Sequence, residues 1–272
     1  MRPVHRGRQQ RRWKQPRGTK LVFCAMLTLL CGIATPSQAL QITPLFVDAA
    51  GESWTQERQD VVWQGIADWT SLILDDQSFD ITFTFAAEGS EGYLGLWQAS
   101  YSYFDGDNVL PWYDGVEHTV LFNVDLFSGD NYIWWGLDAQ EQPFEAWDAL
   151  TVVRHEIGHA LGYTGLYGNN YGVTGEEYRY YDLWVSGSTF DAGGLNIALA
   201  SEGDTYHVSM DYENLMSPAL VNGVRRDIEP MNLDMLELAY GYSIIPEPGL
   251  FGLLVIGWVG ILAVHGRKHS AP

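Results

Sequence analysis

The 272-residue sequence predicts an α+β fold: a mixed β-sheet with helices packed on one side. Three observations carry this expectation. Across residues 54–74, Trp54, Val61, Val62, Ile66, Trp69 and Ile73 fall mostly on one side at helical spacing. The run Phe79-Asp80-Ile81-Thr82-Phe83-Thr84-Phe85 alternates strictly, which is the period of a strand with one buried face. Several strands then precede the next helical stretch, the order of a mixed sheet with segregated helices rather than of regular strand and helix alternation.

The first 39 residues belong to a different unit. Of 15 Lys and Arg residues in the chain, eight precede Leu21, whereas no Asp or Glu occurs before Asp48. An apolar run at 21–33 follows, then Thr35-Pro36-Ser37-Gln38-Ala39, with small residues at the −3 and −1 positions of a cut after Ala39. Basic start, apolar middle and small-residue exit read as a secretory signal peptide over residues 1–39. Both cysteines, Cys24 and Cys31, lie inside it. The mature chain is therefore expected to fold without disulfides, relying on its core or on metal.

At the other end, Pro246-Glu247-Pro248-Gly249 is followed by fifteen apolar or glycine residues, 250–264, and then by Arg267 and Lys268. As a helix the apolar stretch covers roughly 22 Å, short of a bilayer's hydrocarbon thickness of about 30 Å. This layout resembles the PEP-CTERM sorting signal of Gram-negative bacteria, with Pro246-Glu247-Pro248 as its motif. The resemblance implies processing of residues 246–272 by an exosortase-type membrane peptidase and release to, or retention at, the cell surface. An ordinary retained tail anchor is the alternative.

Between the two ends, residues 40–245 carry five basic residues against 33 acidic ones, a formal charge of −28. So negative a body repels nucleic acid and anionic membrane surfaces, which leaves membrane contact to the terminal segments. Its length suits one domain. A strand is expected at 42–48, and Ser53 with Gln56 forms a capping box for the helix at 54–74. Beyond the alternating strand, further strands are expected within 93–104 and at 118–124, and helices at 145–161 and 231–240. Asp105-Gly106-Asp107-Asn108 and Ser128-Gly129-Asp130-Asn131 mark loops. Their carboxylates raise Ca2+ binding as a use, but neither run follows the EF-hand spacing, and they read as solvated turns.

Chemistry concentrates in His155-Glu156-Ile157-Gly158-His159. On a helix, a spacing of four puts both imidazoles on one face, one turn apart, where they can hold one zinc ion. Glu156 lies roughly 100° round the helix, within reach of a water at the metal without being a ligand, as a general base requires. A catalytic zinc takes three protein ligands, so a third is needed. His118 in its alternating strand, His207, and the charged pair Glu176 and Glu177 are the candidates.

Continuing to Gly162, this stretch resembles the metzincin family of zinc peptidases, whose signature extends HExxH with xxGxxH. Gly162 matches the family glycine, but Gly165 stands where the compact signature has its third histidine. Asn214-Leu215-Met216-Ser217-Pro218 looks like the metzincin Met-turn, and His207 precedes Met216. In leishmanolysin-like members an insertion separates the glycine from the third histidine, and here 44 residues lie between Gly162 and His207.

The resemblance covers mainly residues 152–242 and is only architectural before 145. It implies a metzincin-like mixed sheet with an active-site helix and a C-terminal subdomain carrying the Met-turn. It also implies one zinc ion on His155, His159 and His207, Glu156 as general base, and secreted endopeptidase activity on protein or peptide substrates. Some members bind the oxyanion with a tyrosine after the Met-turn; Ser217 and Pro218 stand there in this chain, so no oxyanion donor is assigned. The rival from another class is a surface or matrix protein with a structural zinc site, using aromatic residues such as Tyr93, Trp97, Trp112 and Trp134 for adhesion or carbohydrate binding. Glu156, which a structural site does not require, discriminates against it.

Overall fold

In the computed structural model, which describes residues 39–87, 92–101, 116–129, 132–164, 189–192, 194–201 and 204–245, the alternating segment lies inside a four-stranded sheet. Strand β1 (Gln41–Phe46) pairs parallel with β2 (Ser78–Ala86). Strand β3 (Gly95–Tyr101) pairs antiparallel with β4 (Val116–Asn123), which lies parallel to β2, so the order is β1-β2-β4-β3. Parallel neighbours need a crossover, and helix α1 (Gln56–Thr70) supplies it between β1 and β2. Ile81, Phe83, Phe85, Val120 and Phe122 form the buried face of β2 and β4, while the intervening Thr82, Thr84, Thr119 and Leu121 are half-buried. Val61, Val62, Ile66 and Trp69 of α1 share the core with that face. The fold is α+β, as the periodicities predict.

Two helix starts differ from expectation. The cap of α1 is Thr55, whose Oγ1 accepts from Arg58 N at 3.4 Å, rather than Ser53. Competing bonds explain the shift: Trp54 N donates to Asp48 Oδ1 at 2.9 Å, and the Ser53 carbonyl accepts from Arg58 Nη1 at 2.8 Å. Trp54 leaves the helix and stacks on Phe85 with ring centroids 4.5 Å apart. Helix α2 (Ala149–Leu161) begins four residues later than the expected 145. Trp147 and Asp148 instead form strand β6 (Trp147–Asp148), parallel to β5 (Ile133–Trp134), and Asp148 caps the helix, accepting from Thr151 N at 2.9 Å and Thr151 Oγ1 at 2.6 Å. Arg225 Nη2 lies 2.7 Å from the same carboxylate and compensates its burial.

All thirteen residues of α2 are buried, Thr151, Arg154, His155, Glu156 and His159 included, so its polar side chains must find partners inside the fold. It packs against α1 and against the edge strand β3. A Cβ on Gly95 would meet Val152 Cγ1 at 2.7 Å and Glu156 Oε1 at 2.9 Å, so a glycine is what lets β3 approach the helix. Gly162, at φ +141°, ends the helix, and a Cβ there would strike Tyr240. Arg154 clamps α2 to its surroundings: its guanidinium lies 2.7 Å from Asp68 Oδ2 of α1 and 2.8 Å from Asp227 Oδ1.

The C-terminal portion contributes an antiparallel sheet of β7 (Thr189–Ala192), β8 (Leu195–Ser201) and β9 (Asp204–Val208), then α3 (Pro230–Tyr240). The last helix opens with proline at its first turn and a capping box between Glu229 and Asn232. The described residues all fall within one compact unit. Residues 105–108, Trp112, Asp130, Asn131, Glu176, Glu177 and both terminal segments lie outside the described residues. Among the described ones, no helix is long and apolar enough to cross a membrane.

Candidate metal centre

The i and i+4 spacing on α2 brings His155 and His159 together, with Nε2 atoms 3.1 Å apart. Strand β9 delivers His207 to the same place. Its ring stacks on His155 with centroids 5.2 Å apart and meets His159 edge-on at 4.9 Å. One ligand atom from each of the three histidines lies within 4.8 Å of the others, close enough for all to hold one metal ion. His118 is elsewhere: it is buried in β4 and accepts from Trp97 Nε1 at 3.1 Å. Of the third-ligand candidates among the described residues, only His207 joins the pair.

Hydrogen bonds set the tautomers. His155 Nδ1 lies 2.8 Å from the Leu215 carbonyl oxygen, and His159 Nδ1 lies 2.5 Å from that of Tyr163. His207 Nδ1 lies 2.7 Å from Asp204 Oδ1. Carbonyl and carboxylate oxygens only accept, so each Nδ1 carries a proton, which in the neutral ring leaves the lone pair on Nε2. Outer partners of this kind orient metal-ligating histidines and raise their basicity. Two lone pairs at 3.1 Å repel each other unless a cation lies between them, and a tetrahedral ion with Zn–N bonds of about 2.0–2.1 Å places its ligands about 3.3 Å apart. The donor set therefore fits a metal such as zinc.

Electrostatics agree with neutral ligands. Burial, and then the neighbouring His207, push the His155 imidazole down to about 3. Burial and the two other histidines hold His159 well below its ordinary value. Glu156 moves the other way, to about 8, because burial disfavours its carboxylate, opposed by a hydrogen bond from the Trp97 backbone N–H.

The signs give a pH prediction for the metal-free protein. Depressed histidines contribute stability above 6.5 that is lost as pH falls toward 3, whereas the raised Glu156 contributes stability below 4.5 that is lost as pH rises through 8. Below 6.5 two histidines outweigh one glutamate, so stability is expected to peak near pH 6.5. Urea midpoints of chelator-stripped protein at several pH values check this. The decline between pH 6.5 and 8 should vanish in Glu156→Gln, and an equal decline in that variant would show that Glu156 is not the group responsible.

Around Met216 the chain makes a tight turn. Ser217 N donates to the Asn214 carbonyl at 3.1 Å, and Met216 N to Asn214 Oδ1 at 2.9 Å. Met216 is fully buried against α2, where a Cβ on Gly158 would come 2.6 Å from its sulfur. Leu215 in the same turn supplies the acceptor for His155. Val208 N, next to His207, donates to the Met216 carbonyl at 2.8 Å.

The three histidines and Glu156 line a cleft of about 730 Å³, walled by Leu94, Leu126, Trp147, Val152, Pro218 and Leu220. Trp97, on β3, stacks on His159 at 6.1 Å and also faces it. Trp97 and Tyr93 therefore border the cleft, whereas Trp135 is core and Trp134 lies beside Arg225. Asp204, which holds His207, stands three residues before it in the sequence, a carboxylate–histidine spacing that is itself a readable signal. Nothing in the sequence marked the carbonyls of Leu215 and Tyr163, because backbone acceptors have no residue identity. No protein-family model matches the chain, and a search of curated proteins finds no match.

Proposed function

We propose that the chain is an exported, metzincin-like zinc endopeptidase. The observation that carries this reading is a buried carboxyl, Glu156, in the same cleft as three histidines whose ligand atoms lie within 4.8 Å of one another. His155, His159 and His207 hold the ion. Bound zinc supplies Lewis-acid polarisation of a carbonyl and acidifies water toward neutrality. Glu156 takes the proton of the attacking water and passes it to the leaving amine as the C–N bond breaks. Its carboxyl is aimed by the Trp97 N–H.

Peptide recognition has two supports. β3 is an edge of the sheet beside the cleft, and a sheet edge offers backbone groups to an extended chain. The largely apolar wall around Trp147 and Leu220 suits an apolar side chain of the substrate. A structural zinc site is usually closed by four protein ligands, whereas the three histidines brought together among the described residues leave a coordination position for water, which favours the enzyme over the adhesion reading. Purified protein should contain one zinc per chain and cleave casein, lose cleavage on chelation and regain it with zinc. A protein that retains no zinc and cleaves nothing would sink the proposal.

The terminal segments support export through the signal peptide at 1–39, and surface sorting through 246–272 after cleavage by an exosortase-type peptidase. Native protein is then expected to lack everything beyond roughly residues 246–250, which intact-mass measurement reads directly. A native species ending at Pro272 would mean a retained anchor.

A further inference from the structure

The C-terminal helix carries a fully buried asparagine, Asn232, at the third position of α3. Its carboxamide faces that of Asn214, also fully buried, in a reciprocal pair: Asn232 Nδ2 donates to Asn214 Oδ1 at 2.6 Å, and Asn214 Nδ2 to Asn232 Oδ1 at 3.3 Å. Glu229 Oε2 takes another bond from Asn214 Nδ2 at 2.8 Å. Buried amides are costly unless paired, and here the pairing extends to two of the three histidines.

One branch runs to His155. Asn214 Oδ1 also accepts from Met216 N at 2.9 Å, which fixes the turn whose Leu215 carbonyl lies 2.8 Å from His155 Nδ1. The other branch runs to His159. Asn232 Nδ2 lies 3.4 Å from the Tyr163 hydroxyl, which itself donates to the Asn232 carbonyl at 3.1 Å, and the Tyr163 carbonyl lies 2.5 Å from His159 Nδ1. Because these two acceptors set the direction of both Nε2 lone pairs, the point where they are tied together controls how well the lone pairs converge.

We infer that Asn232 is a positioning residue of the metal centre, its side chain setting metal affinity from α3 through the Met216 turn on one branch and Tyr163 on the other. The inference rests on the reading of His155, His159 and His207 as metal ligands. Removing the donor breaks the bond from α3 to Asn214 Oδ1 and the contact with the Tyr163 hydroxyl, which loosens the hold on both branches without removing any ligand atom.

The test titrates metal-free protein with Co2+ and Zn2+, following the visible absorption of bound cobalt, with chelator competition for the dissociation constants. Asn232→Asp keeps the acceptor that caps α3 but lacks the donor; Tyr163→Phe removes only the hydroxyl and decides the matter if the first variant does not fold. Each is expected to weaken binding about 10–100-fold, the range for loss of an outer-shell partner, and to alter the cobalt spectrum. Val62→Ala, buried on α1 and outside both the cleft lining and the hydrogen bonds that join Asn232 to the histidines, should lower the melting temperature while leaving affinity and spectrum unchanged. Affinity within twofold of wild type in the folded Asn232 and Tyr163 variants would overturn the inference, as would an equal loss in Val62→Ala. A wild type that takes up no ion instead overturns the metal centre itself, and the inference with it.

Discussion

His207→Ala should lose its metal and, with it, all hydrolysis. The residue belongs to neither of the other ligands' helix, and β9 places its ring within 5.2 Å of His155 and 4.9 Å of His159. Without it, two imidazoles remain for an ion that takes three protein groups at a catalytic site. Loss of a ligand exceeds loss of an outer partner, so affinity is expected to fall by more than about 100-fold. Chelator competition reads this, and casein cleavage should drop to background. His155→Ala and His159→Ala are expected to behave alike. Full zinc occupancy with wild-type rates in His207→Ala would remove it from the ligand set and bring Glu176 or Glu177 forward.

Glu156→Gln separates binding from turnover. The amide is nearly isosteric and retains an oxygen for the Trp97 N–H, so the histidines and their metal should be undisturbed. What disappears is the proton acceptor. General-base catalysis contributes about 10²–10⁴-fold, and a fall of that order at unchanged zinc content is expected from metal analysis beside initial rates. A variant that turns over at wild-type speed would move the base elsewhere in the cleft. If instead it lost its zinc, Glu156 would be part of the ligand shell.

Much of the scaffold was readable before any coordinates, because period is local. Alternation at 79–85 marks β2 and helical spacing at 54–74 marks α1, since each requires only neighbours along the chain to share a face. The ends of those elements were less readable. Ser53 has the right chemistry for a cap, yet Arg58 engages its carbonyl, Asp48 draws out Trp54, and the helix starts after Thr55. Likewise the helix expected from 145 waits until Ala149, because residues 147–148 pair with β5 first. Caps depend on which competing hydrogen bond wins, and that partner sits elsewhere in the fold.

The metal site divides along the same line. His155, Glu156 and His159 could be paired from spacing alone, as four residues on a helix bring two side chains to one face whatever surrounds them. His207 was assigned through resemblance, and its approach to the pair depends on the packing of β9 against the Met216 turn. Asn232 is legible in the sequence only as part of a final helix. Its role comes from a side-chain amide that meets another amide across 18 residues of sequence and a tyrosine hydroxyl across 69, and the direction of a buried lone pair is set by such distant partners, which no local pattern of side chains encodes.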